Sequence, residues 1–340
     1  MKKMRLLQPI LLTLLFLFCI EAALEYRHYR LGWDTPLFGD LSVDAPRSGT
    51  GDKKQKTFGP TSEFPFRSRI LTSGDSEALR IWVASASHAE HIRLPVKRIF
   101  PNLICEAPIW AGRACEVING SKAGIGVEQN IEMLQTYAGT FQPDVVLLYQ
   151  GSQIIAGQQK SVLESDDKST SAGNAIVDFA PVKRLFQETS AYQHLTDYIG
   201  GNLKLNGPLK DKLPAEMEQD FAAQIGAFLR SVREQGAEPV LMTFAASHSS
   251  ENLDDLPRSI RTSFVRYSSY LSPEGWAATI ERYNEQLREI ARAEGVALID
   301  LEADLHGDSD FFVDYVHFNE AGHERVAQLI AEQLFQYLDR

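Results

Sequence analysis

Two stretches of the chain hold residue types that could run acyl-transfer chemistry. Residues 72–91, "TSGDSEALRIWVASASHAEH", contain the tripeptide Gly74-Asp75-Ser76 and two further serines, Ser85 and Ser87. Residues 314–323, "DYVHFNEAGH", place a carboxylate and an imidazole three positions apart, at Asp314 and His317. A serine becomes a useful nucleophile when an imidazole takes its proton and a carboxylate orients that imidazole. Asp314 and His317 fall just before a helical stretch that Asn319 is placed to cap, so one tight turn can hold the pair together.

Position decides between the serines. Gly74-Asp75-Ser76 lies between two strand-like runs, "FRSRILT" and "ALRIWVA", and all three are turn formers. It reads as a hairpin turn at the N-terminal end of a strand, the wrong edge of a parallel sheet for catalysis. Ser87 instead follows that strand and opens the next helix. There it projects above the sheet edge, close to free backbone N–H groups and the positive helix end. The bland alternative is that Ser87 and Glu90 form an S-x-x-E capping box. Ser85 is a second, less well placed candidate.

The elements that must position these residues follow from the hydrophobic pattern. Strands are expected over 80–84, 115–119, 144–151, 237–245 and 296–301, and helices over 91–103, 128–138, 215–235, 273–294 and 319–338. Apolar strands alternating with helices predict an α/β fold: three layers, α/β/α, around a five-stranded, mostly parallel sheet. Residues 152–213 and 247–272 break the alternation just after strand ends. Because ligands bind at that edge, both are candidate lids or substrate walls.

At 340 residues, with 44% apolar and 23% charged side chains, the chain suits one large domain with insertions. Its net charge of -11 argues against a nucleic-acid partner, which needs a basic face. Lys2, Lys3 and Arg5 precede a run over 6–20 that is apolar but for Gln8 and Thr13. Residues 1–24 thus read as a signal anchor or signal peptide. Residues 25–75 read as a membrane-proximal extension and linker, and 76–340 as the main domain. The expected location is exported: anchored in the inner membrane facing the periplasm or cell exterior, or secreted if the leader is cleaved. Cys105 and Cys115 could close a short loop in an oxidising compartment or stand as two free buried thiols. His88 and His91 beside Glu90 raise a metal site, but no second cluster has zinc-like spacing, so no metal and no cofactor is expected. They read as helix-surface residues or substrate contacts. The sequon Asn119-Gly120-Ser121 reads as chance.

Taken together, the blocks resemble the SGNH/GDSL hydrolase family, over about residues 80–338. "RIWVASASHAE" matches its strand-then-serine block with Ser87 in the serine position, although Ser85 and Ala86 replace the usual glycines. "VINGSKAGIG" matches the second block, with Asn119 ending the strand and Gly124 in the oxyanion-hole glycine position. "PDVVLLYQGSQII" matches the third through its strand and Gly151, but Gln153 stands where an Asn belongs and Ile154 replaces the Asp. Asp314, His317 and Gly322 match the last. The resemblance implies a flavodoxin-like sheet, a catalytic set of Ser87, His317 and Asp314, and an oxyanion hole from Ser87, Gly124 and Gln153. It further implies an exported esterase that removes or transfers O-acyl groups, acetyl foremost, on a glycan or small ester through an acyl-enzyme. The alternative is a degenerate member that binds glycan or an envelope partner without turnover, in keeping with Gln153 and the missing glycines.

Overall fold

The computed structural model describes residues 57–58, 66–70, 78–169, 209–257, 260, 268 and 270–338, together with residues 19, 22 and 23. The rest of the expected anchor over 1–24, the Gly74-Asp75-Ser76 turn and residues 170–208 of the first insertion lie outside the described residues. Among the described residues, no helix is long and apolar enough to cross a membrane.

Strands β3 (Leu79–Ala84), β4 (Cys115–Asn119), β5 (Val145–Leu148), β6 (Glu238–Met242) and β7 (Ala297–Ile299) form one sheet in the order β4-β3-β5-β6-β7, and every pairing is parallel. These are the five expected strands. The central ones are apolar on both faces, as in Ile81, Trp82, Val83 and Ala84 of β3, each with no exposed surface. A parallel strand buried on both sides has that composition because helices cover each face.

A separate pair, β1 (Thr57–Phe58) and β2 (Arg69–Ile70), runs antiparallel. Among the described residues, the pairing that a hairpin between 66–72 and 78–84 requires is therefore not formed. Both hydrogen-bonding edges of β3 are taken by β4 and β5, so β2 pairs with β1 instead.

Right-handed crossovers assign the helices to layers. The step from β3 to β4 runs opposite to the steps through β5, β6 and β7, so its connection covers the other face. Helices α3 (Val127–Phe141), α5 (Glu216–Glu234) and α6 (Pro273–Glu294) belong to the later steps, and α5 touches both of the others. Helix α2 (Phe100–Leu103) belongs to the first step and packs against the C-terminal helix α8 (Glu320–Leu338). The result is the three-layer α/β/α arrangement. A short helix α7 (Leu301–Leu305) follows β7.

Two expectations about helices change. The single helix over 91–103 is instead one turn, α1 (Ser87–Glu90), then a 3₁₀ turn at Val96–Arg98 and the four-residue α2. Pro95 and Pro101 account for this, since proline lacks the N–H and pushes its predecessor towards extended backbone. Ile99, caught between these turns, is extended at φ -85°, ψ 142°. The insertion from 152, to which the alternation assigns no element, opens as helix α4 (Ser152–Ser169). From it, the buried Gln159 accepts backbone hydrogen bonds from Tyr270 and Leu271, tying α4 to the second insertion.

Cys105 and Cys115 are joined in a disulfide with Cα atoms 5.4 Å apart, clamping the turns after α2 to the start of β4. Closing a loop of sequence separation 10 removes unfolded-state entropy worth about 2–3 kcal/mol. The double variant Cys105→Ser/Cys115→Ser should unfold in urea with stability lower by that amount, while reductant should leave its midpoint unchanged and lower that of the parent.

Candidate active site

The strand order reverses at β3, so the crevice between the carboxyl ends of β3 and β5 is the switch point of the sheet. Just past β3, the chain disposes of Ser85 first. Its hydroxyl donates to the Tyr149 carbonyl at 2.7 Å and is fully buried, which fastens the ends of β3 and β5 and leaves no reach to the cleft. Ala86 is the cap of α1, and Ser87 is its first helical residue.

The N-cap of α1 is Ala86, whose side chain cannot cap, so the capping-box alternative is not what forms. Its Oγ lies 2.9 Å from Nε2 of His317. Glu90 reaches elsewhere: its carboxylate accepts the Ala123 N–H, drawing the loop of Gly124 towards α1.

Asp314 and His317 sit on a tight excursion closed by a bridge between Phe312 and Phe318, with the Val313 N–H donating to the His317 carbonyl at 2.9 Å. Nδ1 of His317 lies 2.9 and 3.0 Å from the two Asp314 oxygens. Asp314 also accepts the backbone N–H groups of Val316 at 3.0 Å and His317 at 2.8 Å. Burial works against its charge, but the His317 charge and these hydrogen bonds prevail and hold the carboxyl below the usual range. Asn319 caps α8 as expected, its Oδ1 accepting the Gly322 N–H at 2.9 Å.

These residues open on a cleft of about 320 Å³, lined among others by Ser87, Gly124, Gln153, Asp314 and His317. All of the candidate site residues therefore meet at one cavity. Gly124 has φ +80°, a left-handed conformation that suits glycine. Gln153 is in the first turn of α4. Gly151, just before, has no room for a side chain: a Cβ there would lie 2.4 Å from the Phe244 ring. Asn119 ends β4 and donates its amide to the Ala89 carbonyl at 2.9 Å, bracing α1 from below. Asn119 is fully buried, consistent with reading its sequon as chance.

The histidines near Ser87 are not on a helix surface. His88 and His91 are buried, and His323 of α8 joins them. His88 stacks on His317 with centroids 5.2 Å apart, while His91 meets His317 edge-on at 5.9 Å and also lines the cleft. Burial, then like charge on His317, lowers His88 well below the ordinary histidine value and lowers His91 to about 3. Burial also keeps His323 well below that value, and its Nδ1 accepts the Phe100 N–H at 3.1 Å. No group of three or more such side chains among the described residues could hold a metal ion. Sequence reasoning named His88 but not its partner Ser152, whose hydroxyl lies 2.8 Å from His88 Nε2, because nothing in their spacing marks a contact between α1 and α4.

The class follows from these facts: a three-layer α/β/α protein with a Ser–His–Asp relay at the switch point of a parallel sheet. Residues 194–325 match the family model of the GDSL-like Lipase/Acylhydrolase family, a range that holds Asp314 and His317 and begins after Ser87, Gly124 and Gln153. No curated protein matches the chain. Among solved structures, an acetyl xylan esterase, AlAXEase, is similar at 14% identity and TM-score 0.44, covering 74% of this chain and 98% of that one. A lipolytic protein of the G-D-S-L family from Veillonella parvula is similar at 14% identity and TM-score 0.43, covering 77% and 100%. The psychrotrophic esterase EstA from Pseudoalteromonas sp. is similar at 13% identity and TM-score 0.41, also covering 77% and 100%. The family-model match supports a likeness to the GDSL-like lipases and acylhydrolases over residues 194–325, and with it an ester-hydrolase class.

Proposed function

We propose that this protein is an exported serine esterase that removes or transfers O-acyl groups, acetyl foremost, on a glycan or related ester. The observation that carries the reading is the unbroken relay from Asp314 through His317 to Ser87 Oγ at hydrogen-bond distance, opening on a cleft. Ser87 attacks the ester carbonyl as His317 Nε2 takes its proton. Asp314 holds the imidazole in the right tautomer and stabilises the imidazolium. The oxyanion of the tetrahedral intermediate is met by the backbone N–H groups of Ser87 and Gly124 and by the Gln153 amide. His317 then protonates the leaving alcohol, and water or a second hydroxyl releases the acyl group from Ser87. Hydrolysis and transfer share every step but the last.

Gln153 supplies the amide donor that an Asn supplies in the family pattern, from a side chain one methylene longer. Gln153→Ala should lower kcat by roughly 10²- to 10³-fold with little change in KM, because the donor acts on charge present only in the transition state. A binding-only protein would have no kcat to lose. Release of acetate from an O-acetylated polysaccharide, compared with release from p-nitrophenyl acetate, tests the glycan part of the proposal. Activity confined to the small ester would remove the glycan and leave the esterase. The Cys105–Cys115 disulfide supports the exported location, since such bonds persist in oxidising compartments. Anchoring by residues 1–24 is tested by fractionating cells that express the full chain: recovery in the soluble cytosolic fraction would count against both anchor and export.

A further inference from the structure

Hydrogen bonds hold the His317 ring at its edge, from Nδ1 to both Asp314 oxygens and from Nε2 to Ser87. Bonds made in the ring plane resist tilting less than contacts on the ring face do. His91 meets the ring edge-on at 5.9 Å, and His88 stacks on its face. Its ring lies 5.2 Å from His317 at an interplanar angle of 19°, a near-parallel stack.

His88 is itself held on several sides. Its Nε2 is 2.8 Å from the hydroxyl of Ser152, the first residue of α4. Phe244 and Tyr149 meet its ring edge-on at 5.0 and 5.7 Å. Among the described residues, Nδ1 has no hydrogen-bond partner and is buried. A bare buried lone pair costs less than a bare buried N–H, which favours the tautomer with the proton on Nε2 donating to Ser152. Ser152 thereby sets the ring orientation, and the unpartnered Nδ1 sets the tautomer.

We propose that His88 is a positioning residue for His317, its ring pinned by Ser152 and serving as the floor that keeps the His317 imidazole in the plane between Asp314 and Ser87. The proposal rests on the serine-esterase reading above. It has an electrostatic side too. When His317 takes the Ser87 proton it becomes a cation, and a charged neighbour at this distance would oppose it. Burial keeps His88 uncharged, so His317 faces an aromatic ring, which attracts a cation.

Reaction of Ser87 with a fluorophosphonate probe reads serine activation without needing the natural substrate. Turnover of p-nitrophenyl acetate supplies kcat and KM alongside it. His88→Leu keeps the volume but removes the aromatic face; labelling and kcat should fall roughly 10- to 100-fold, as misplacement of a catalytic group does, with KM nearly unchanged. His88→Phe restores a stacking ring and should recover most of both. A purely structural role would lower the melting temperature in both variants without this rescue. If His88→Leu fails to fold, Ser152→Ala decides, since it frees the His88 ring alone and should slow labelling several-fold. A folded His88→Leu with parental labelling, a Phe variant no better than Leu, or an unaltered Ser152→Ala when the Leu variant does not fold overturns the proposal. A parent whose Ser87 takes no probe at all overturns the esterase reading first and the proposal with it.

Discussion

Ser87→Ala should reduce p-nitrophenyl acetate turnover by roughly 10⁴- to 10⁶-fold, the loss expected when the nucleophile of a hydrogen-bonded relay is removed. The basis is geometric. Ser87 Oγ has His317 Nε2 at 2.9 Å, and the other ring nitrogen is engaged by both Asp314 oxygens. Ser85 is two residues away but cannot substitute, because its hydroxyl is buried against the Tyr149 carbonyl. Purified wild type and variant, matched for circular dichroism and assayed side by side, supply the measurement. Equal rates in the two proteins would remove Ser87 as nucleophile and favour the binding-only alternative. His317→Ala should lose a similar amount, and combining the two should add little, because the residues act as a unit.

The fold should lose stability steeply on mild acidification, and the histidine cluster sets the direction. An unfolded histidine titrates near 6.5. In the folded chain His88 and His323 lie well below that value and His91 near 3, with burial the leading cause in each. Between 6.5 and the folded values, the unfolded chain therefore binds more protons than the folded one. Stability is fully present above the unfolded value and is lost as pH falls through this window. Each group contributes at most ~1.4 kcal/mol per pH unit, so the three together approach ~4 kcal/mol per unit. Asp314 adds to the loss below about pH 4, because its depressed carboxyl is protonated more readily in the unfolded chain. Urea unfolding at pH 7, 6, 5 and 4.5 measures the slope, and His323→Asn should make it shallower. A stability that stays flat from pH 7 to 5 would show that these histidines are not held neutral.

Much of the fold was legible because its signals are local. Each strand of the sheet is a short apolar run, and buried parallel strands need such runs whatever surrounds them. Ser87 was legible from its place after a strand, and Asp314 and His317 from a spacing that fits one turn. The misreadings share a different cause. The hairpin expected around residues 74–76 depended on which partner β3 would choose, and partner choice is decided by the whole sheet. The helix expected over 91–103 had suitable spacing, but Pro95 and Pro101 interrupt it.

The opening residues of the chain's chemistry divide in the same way. Sequence alone determined the α/β class, the five strands and a short set of residues able to support acyl transfer, because periodicity and motif spacing act over a few residues. Only the tertiary structure decided that Ser85 is spent on the Tyr149 carbonyl, that Cys105 and Cys115 are bonded, and that Glu90 holds the Gly124 loop rather than capping α1. It alone also placed His88 against His317, two residues 229 positions apart, with Ser152 behind them. The physical reason is that a hydrogen bond or ring stack is a matter of a few ångströms and tens of degrees, and such distances between remote residues exist only once the sheet has brought its strand ends together.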